Sequence, residues 1–126
     1  MTVLLDTHAF LWWIADAPRL TRRARKAIAD SSCVLSIASC WEMAIKASLG
    51  RLEVPQPLDR FIQNQIEING FHLLPVSLEH VAGVRDLPFH HRDPFDRLIA
   101  AQARHEEIAV VTADPVFSRY GIKRIW

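Results

Sequence analysis

Short apolar runs recur along this chain, each separated from the next by a stretch with helical periodicity. TVLL (2–5), CVLSI (33–37), FHLLPV (71–76) and IAVVTA (108–113) are aliphatic, in part β-branched, and too short for ordinary helices, so they read as buried strands. Between them lie HAFLWWIA (8–15), apolar nearly all round, and RRARKAIAD, which Thr21 can cap after Pro18 breaks the first helix. A third helix is expected from about Ala38 to Leu49, with Gly50 as a left-handed terminator. LDRFIQNQIEI carries an apolar stripe and ends at Asn69-Gly70, Ser77 caps a short helix to about Arg85, and FDRLIAAQARHEE (95–107) is strongly amphipathic. A short helix from Pro115 and a strand in IKRIW close the order. Strands alternating with helices predict an α/β fold, a parallel sheet sandwiched between helices (α/β/α).

The length of 126 residues suits one domain, 1–126, and half of the residues are hydrophobic, enough for a substantial core. A net charge of +1 gives no bulk signal for nucleic acid. Arg19, Arg22, Arg23, Arg25 and Lys26 form a local basic cluster, read here as a solvated helix face. Cys33 and Cys40 have neither metal nor disulfide spacing, and no zinc-type pattern of histidines is present, although His90 and His91 are adjacent. No signal-peptide pattern or bilayer-length apolar run is visible, so a cytoplasmic location without a membrane partner is expected. Four glycines leave little material for a nucleotide-cradling loop.

Four acids stand where these elements turn over. Asp6 and Asp114 follow strand patterns, while Glu42 and Asp96 lie at the starts of helix patterns. Each also has a plain structural explanation. Ser39-Cys-Trp-Glu42 has the form of a capping box. Asp93-Pro94 and Asp114-Pro115 pair a cap with a proline at the first helical position, and Asp6 can cap the helix after it. Yet Ser, Thr or Asn would cap as well, and all four turnovers use a carboxylate. An open α/β sheet gathers such positions outside the carboxyl ends of its strands. Carboxylates so gathered repel one another and favour a magnesium- or manganese-type cation, which in turn activates water towards a phosphoryl group.

LLDTHAFLW, LSIASCWEMAIKASLGRL, HRDPFDRLIAAQA and VVTADPVF, in that order and at that spacing, resemble PIN-domain proteins of the VapC toxin type over nearly the whole chain. The resemblance implies a compact α/β/α domain acting as a Mg2+- or Mn2+-dependent endoribonuclease. It assigns catalytic acids to Asp6, Glu42, Asp96 and Asp114, with Asp6, Asp96 and Asp114 holding metal. Thr112 is an accessory candidate through its hydroxyl, which would orient a metal-bound water. Asp93 is another accessory candidate, and its local chemistry says cap first. Arg92 and Arg97 flank the acid helix as candidates for RNA phosphate contact. The resemblance further implies a homodimer and a VapB-like antitoxin lying across the active-site groove. Trp12 and Trp13 are adjacent on one helix and cannot both be core, so one of them is expected at an interface.

Two rival functions follow from the same residues. A haloacid-dehalogenase-type phosphatase needs a second aspartate two residues after the first, where this chain has His8. A catalytically silent PIN scaffold, binding RNA or protein without cleavage, would not need all four acids.

Overall fold

The computed structural model describes residues 1–126. In chain order the elements are β1 (Thr2–Leu5), α1 (Thr7–Ile14), α2 (Arg22–Asp30), β2 (Ser32–Ser36), α3 (Ile37–Ser48), α4 (Leu58–Asn69) and β3 (His72–Leu74). They continue with α5 (Leu78–Arg85), α6 (Pro94–Glu106), β4 (Ala109–Val111), a 3-10 helix (Pro115–Tyr120) and β5 (Arg124–Ile125). All strand pairings are parallel, in the order β3-β2-β1-β4-β5. The parallel α/β/α architecture expected from the alternation is therefore the one observed.

Side-chain alternation in the strands divides the core in two. Val3, Leu5, Ala109 and Val111 face one way and are joined there by Phe10 from α1, Ala24 and Ile28 from α2, Met43 from α3 and Ile62 from α4. Leu4 and Val110 face the other way, against Ile99, Ala100 and Ala103 of α6 and Phe117 of the 3-10 helix. The central strands are thus buried on both faces, which is why they read as unbroken apolar runs rather than alternating ones. Burial of each such side chain contributes about 1.5–3 kcal/mol.

Helix ends follow local chemistry. Thr21 accepts the Ala24 N–H, and Ser77 and His80 complete a reciprocal capping box at the start of α5. Gly50 (φ +70°) and Gly70 (φ +67°) end α3 and α4 in the left-handed region, which suits glycine. Observed boundaries differ from the sequence expectation by a residue or two, and β3 is shorter than FHLLPV implied because Pro75 has no N–H to extend the ladder.

One expectation needs correction. Ser39 and Glu42 do not form a capping box. The helix begins earlier, with Ser36 as N-cap accepting the Ala38 N–H at 2.9 Å. This places Ser39 inside the first turn, fully buried with its hydroxyl unpaired, and releases Glu42 from the helix end.

Candidate active site

β1 and β4 lie side by side at the centre of the sheet, and the chain changes direction of travel there. From β1 it moves outward to β2 and β3; from β4 it moves outward to β5. Such a reversal opens a crevice beyond the strand ends. Asp6 directly follows β1, and its N–H reaches Val111 O at 3.2 Å, which holds the end of β1 against β4. Thr112 and Asp114 extend from β4 on the same edge. The first turn of α6 supplies Asp96, and the second turn of α3 supplies Glu42.

Each acid is held by specific partners. Asp6 is nearly buried and caps α1, accepting the Ala9 N–H at 2.7 Å. Thr112 is fully buried; its Oγ1 accepts the Asp114 N–H at 3.0 Å, and its hydroxyl is near enough to the Asp6 carboxylate to favour its ionised form. It therefore serves two acids from behind. No face of Thr112 reaches bulk solvent. Glu42, also nearly buried, accepts the Thr7 hydroxyl at 2.6 Å and pairs with Lys46 one helical turn on. Asp114 caps the 3-10 helix through Val116 N at 2.9 Å. His91 joins the cluster: its Nε2 lies 2.9 Å from Asp114 Oδ2 and 3.2 Å from Asp96 Oδ2.

The electrostatics are those of too much negative charge in too little water. Burial pushes the Asp96 carboxyl up to about 7; the nearby Asp93, Asp6 and Glu42 charges push the same way, and His91 opposes them. Burial also raises the Asp6 carboxyl, against the Thr112 and Ala9 hydrogen bonds. Between pH 4 and 7 folded Asp96 keeps a proton that the unfolded chain has released. Folding then takes up a proton, and metal-free stability falls as pH rises through that window. Melting wild type and Asp96→Asn in chelator at pH 5 and pH 8 checks this. The variant's Tm advantage should widen at pH 8, and an unchanged gap would remove Asp96 as the source.

The remaining candidates separate. Asp93 is the N-cap of α6, accepting Phe95 N at 2.8 Å and Asp96 N at 3.3 Å. Arg92 is exposed beside the acid helix. Arg97 is not a phosphate ligand. It is buried, and its guanidinium donates to the carbonyls of Pro88 at 2.9 Å, Val84 at 3.2 Å and Leu87 at 3.3 Å. Trp12 and Trp13 are both half-buried: Trp13 Nε1 donates to Asn69 Oδ1 at 3.0 Å, and Trp12 packs on Trp126 under Arg19. The tryptophan that stands in solvent is Trp41, 58% exposed and edge-on to Phe95. Thr7, Lys46 and His91 were absent from the sequence reading of the site. Lys46 was accessible through its i, i+4 spacing from Glu42; His91 carried no such mark.

The donor set is carboxylate oxygen, without thiolates, and its charges repel in the absence of a counter-ion. That chemistry fits a hard divalent cation. A groove of about 640 Å³ borders the cluster, sharing Thr7 and Lys46 with it and running past Leu11, Trp12, Pro55 and Phe61.

The PIN domain family model matches residues 3–123. The chain is 36% identical over 117 residues to Ribonuclease VapC22 of Mycobacterium tuberculosis, covering 90% of this chain and 87% of that protein. The fold is similar to that in the crystal structure of VapBC2 from Rickettsia felis bound to a promoter DNA fragment. The TM-score is 0.69 at 16% identity, over 98% of this chain and 97% of that one. DNA-bound VapBC from Salmonella typhimurium gives a TM-score of 0.68 at 18% identity, over 98% and 96% of the two chains. With its acids gathered at the crevice beyond β1 and β4 and nearly its whole length matched, the chain belongs to the PIN-domain family.

Proposed function

We propose that this protein is a Mg2+-dependent endoribonuclease, with Mn2+ able to substitute, and the toxin of a toxin–antitoxin pair. The observation that carries the reading is the convergence of Asp6, Glu42, Asp96 and Asp114 on one crevice, with the Asp96 carboxyl pushed up to about 7 by burial and neighbouring charge. A strongly perturbed group in a cleft marks a functional site, and the relative named Ribonuclease VapC22 supports RNA as substrate.

Asp6, Asp96 and Asp114 are the residues that would hold the cation, and Glu42 completes the pocket. The cation supplies Lewis acidity towards a phosphoryl oxygen and a water acidic enough to attack it. The chain's own contribution is to fix the carboxylates. Thr112 holds the Asp114 backbone beside Asp6, while Thr7 and Lys46 hold Glu42. Arg92, exposed at the rim, remains the candidate for an RNA phosphate.

The groove past Leu11, Trp12 and Phe61 supports an antitoxin segment seated beside the acids, and the VapBC complexes of similar fold support a VapB-like partner. Exposed Ile37 and Trp41 on α3 offer an apolar surface for a second copy, supporting a homodimer. No helix is long and apolar enough to cross a membrane, in keeping with a cytoplasmic toxin.

The test is to incubate the purified protein with single-stranded RNA and Mg2+ and to map the ends. Internal cuts leaving 5′-phosphate and 3′-hydroxyl termini are expected, suppressed by the antitoxin encoded beside the gene. Retention of intact RNA on the protein would instead support a silent scaffold.

A further inference from the structure

The last strand reaches the acid cluster through one side chain. β5 pairs Arg124 with Val110 and Ile125 with Val111, and the Thr112 N–H adds a bond to Ile125 O at 3.2 Å. Beyond Thr112 neither strand continues, and the chain turns through Ala113 into Asp114. The peptide group joining those two residues is planar, with the Ala113 carbonyl at one end and the Asp114 N–H at the other. Both ends are held. The N–H donates to Thr112 Oγ1 at 3.0 Å, and the carbonyl accepts from Arg124 Nη2 at 2.9 Å. A planar group bonded at both ends cannot rotate, which fixes the direction in which Asp114 leaves the backbone.

Arg124 is not explained by packing or by charge pairing. Its guanidinium makes no ion pair with any carboxylate of the chain. Its Nε is enclosed and meets no acceptor in the protein. A buried donor without a partner destabilises a fold, and a methionine of similar length would fill the same space without one. A side chain that costs stability while touching the residue before a site acid is the signature of a functional constraint. We propose that Arg124 is a positioning residue, which fixes the peptide group ahead of Asp114 and so aims its carboxylate at the cation.

The role rests on the reading of Asp114 as a metal-holding acid. Thr112 secures one end of the peptide from within β4, and Arg124 secures the other from the neighbouring strand. With the second anchor gone the peptide can swing, and the carboxylate no longer waits in the binding geometry. A bond from a charged donor is worth enough for about a tenfold change in affinity.

The experiment is calorimetric titration of Mn2+ into wild type, Arg124→Met and Arg124→Lys, with melting curves and steady-state cleavage of single-stranded RNA. Arg124→Met should keep its Tm or gain, and should bind Mn2+ about tenfold more weakly. At a Mn2+ concentration near the wild-type Kd its kcat should fall while KM for RNA is unchanged. Arg124→Lys keeps a charged donor and should bind Mn2+ more tightly than Arg124→Met; equal affinities would overturn the proposal. So would a methionine variant that fails to fold, or one that loses Tm at wild-type Mn2+ affinity, because Arg124 would then serve the fold alone. A raised KM with Mn2+ affinity and kcat intact would overturn it as well, since the guanidinium would be touching RNA instead of aiming Asp114. Wild type that binds no Mn2+ overturns the metal-site reading and this role with it, whereas wild-type binding matched by Arg124→Met overturns only the role of Arg124.

Discussion

Replacing Asp96 with asparagine should reduce RNA cleavage by orders of magnitude while leaving the fold intact and raising the Tm of the metal-free protein. The change is nearly isosteric, so α6 keeps its packing. What it removes is a carboxylate whose ionisation is opposed by burial and by Asp93, Asp6 and Glu42. Without a cation that charge is a liability, and its loss is stabilising. With a cation it is a ligand, and its loss removes transition-state stabilisation that no neighbouring amide replaces. Asp93→Asn is the control three residues away. Asparagine caps about as well as aspartate, and the Phe95 and Asp96 N–H groups that Asp93 serves need only an oxygen. That variant should remain active. Loss of cleavage in Asp93→Asn equal to that in Asp96→Asn would place Asp93 in the metal site.

Arg97→Ala should destabilise the protein by about 2–4 kcal/mol, since hydrogen bonds to a charged group are worth about 1.5–3 kcal/mol each and the loss leaves carbonyls unsatisfied. Three carbonyls between Val84 and Pro88 converge on this one guanidinium, and the Phe89 ring lies 4.4 Å from it. The loop it gathers leads directly to His91 and Asp93. Arg97→Lys should recover little, because an ammonium cannot reproduce the planar fork. Urea denaturation of the three proteins checks this. A loss below about 0.5 kcal/mol for the alanine variant, the range of ordinary surface substitutions, would show that the three carbonyl bonds do not stabilise the fold.

The contrast between Asp96 and Arg97 shows what the linear chain discloses. Buried parallel strands announce themselves because both faces are apolar, so β1 and β4 were readable from TVLL and IAVVTA alone. The acids were readable because strand ends and helix starts share an edge in such a sheet, whatever the details of packing. Arg97 was opaque. Arg92 precedes the N-cap of α6 and Arg97 lies within the helix, and only the packing of the Val84–Pro88 carbonyls on Arg97 decides that one arginine is buried and the other exposed. Glu42 was placed correctly on α3, but Ser39-x-x-Glu42 mimicked a capping box. The true cap, Ser36, lies at the end of β2, where strand and helix abut without a loop. Trp12 and Trp13 were expected to divide between core and surface. Both are half-buried, Trp12 at the groove and against Trp126, Trp13 against Asn69 and Phe71, and Trp41 takes the exposed position. Long-range pairing, not propensity, decides each of these cases.

The most direct test of the central claim is to follow RNA cleavage while Mg2+ or Mn2+ is titrated into metal-free wild type and Asp96→Asn. Wild type should be inert in chelator, should gain activity in step with cation binding, and should lose it again on adding excess EDTA, while Asp96→Asn stays inactive throughout. Cleavage that persists in the chelated wild-type protein, or that proceeds normally in Asp96→Asn, would contradict the account.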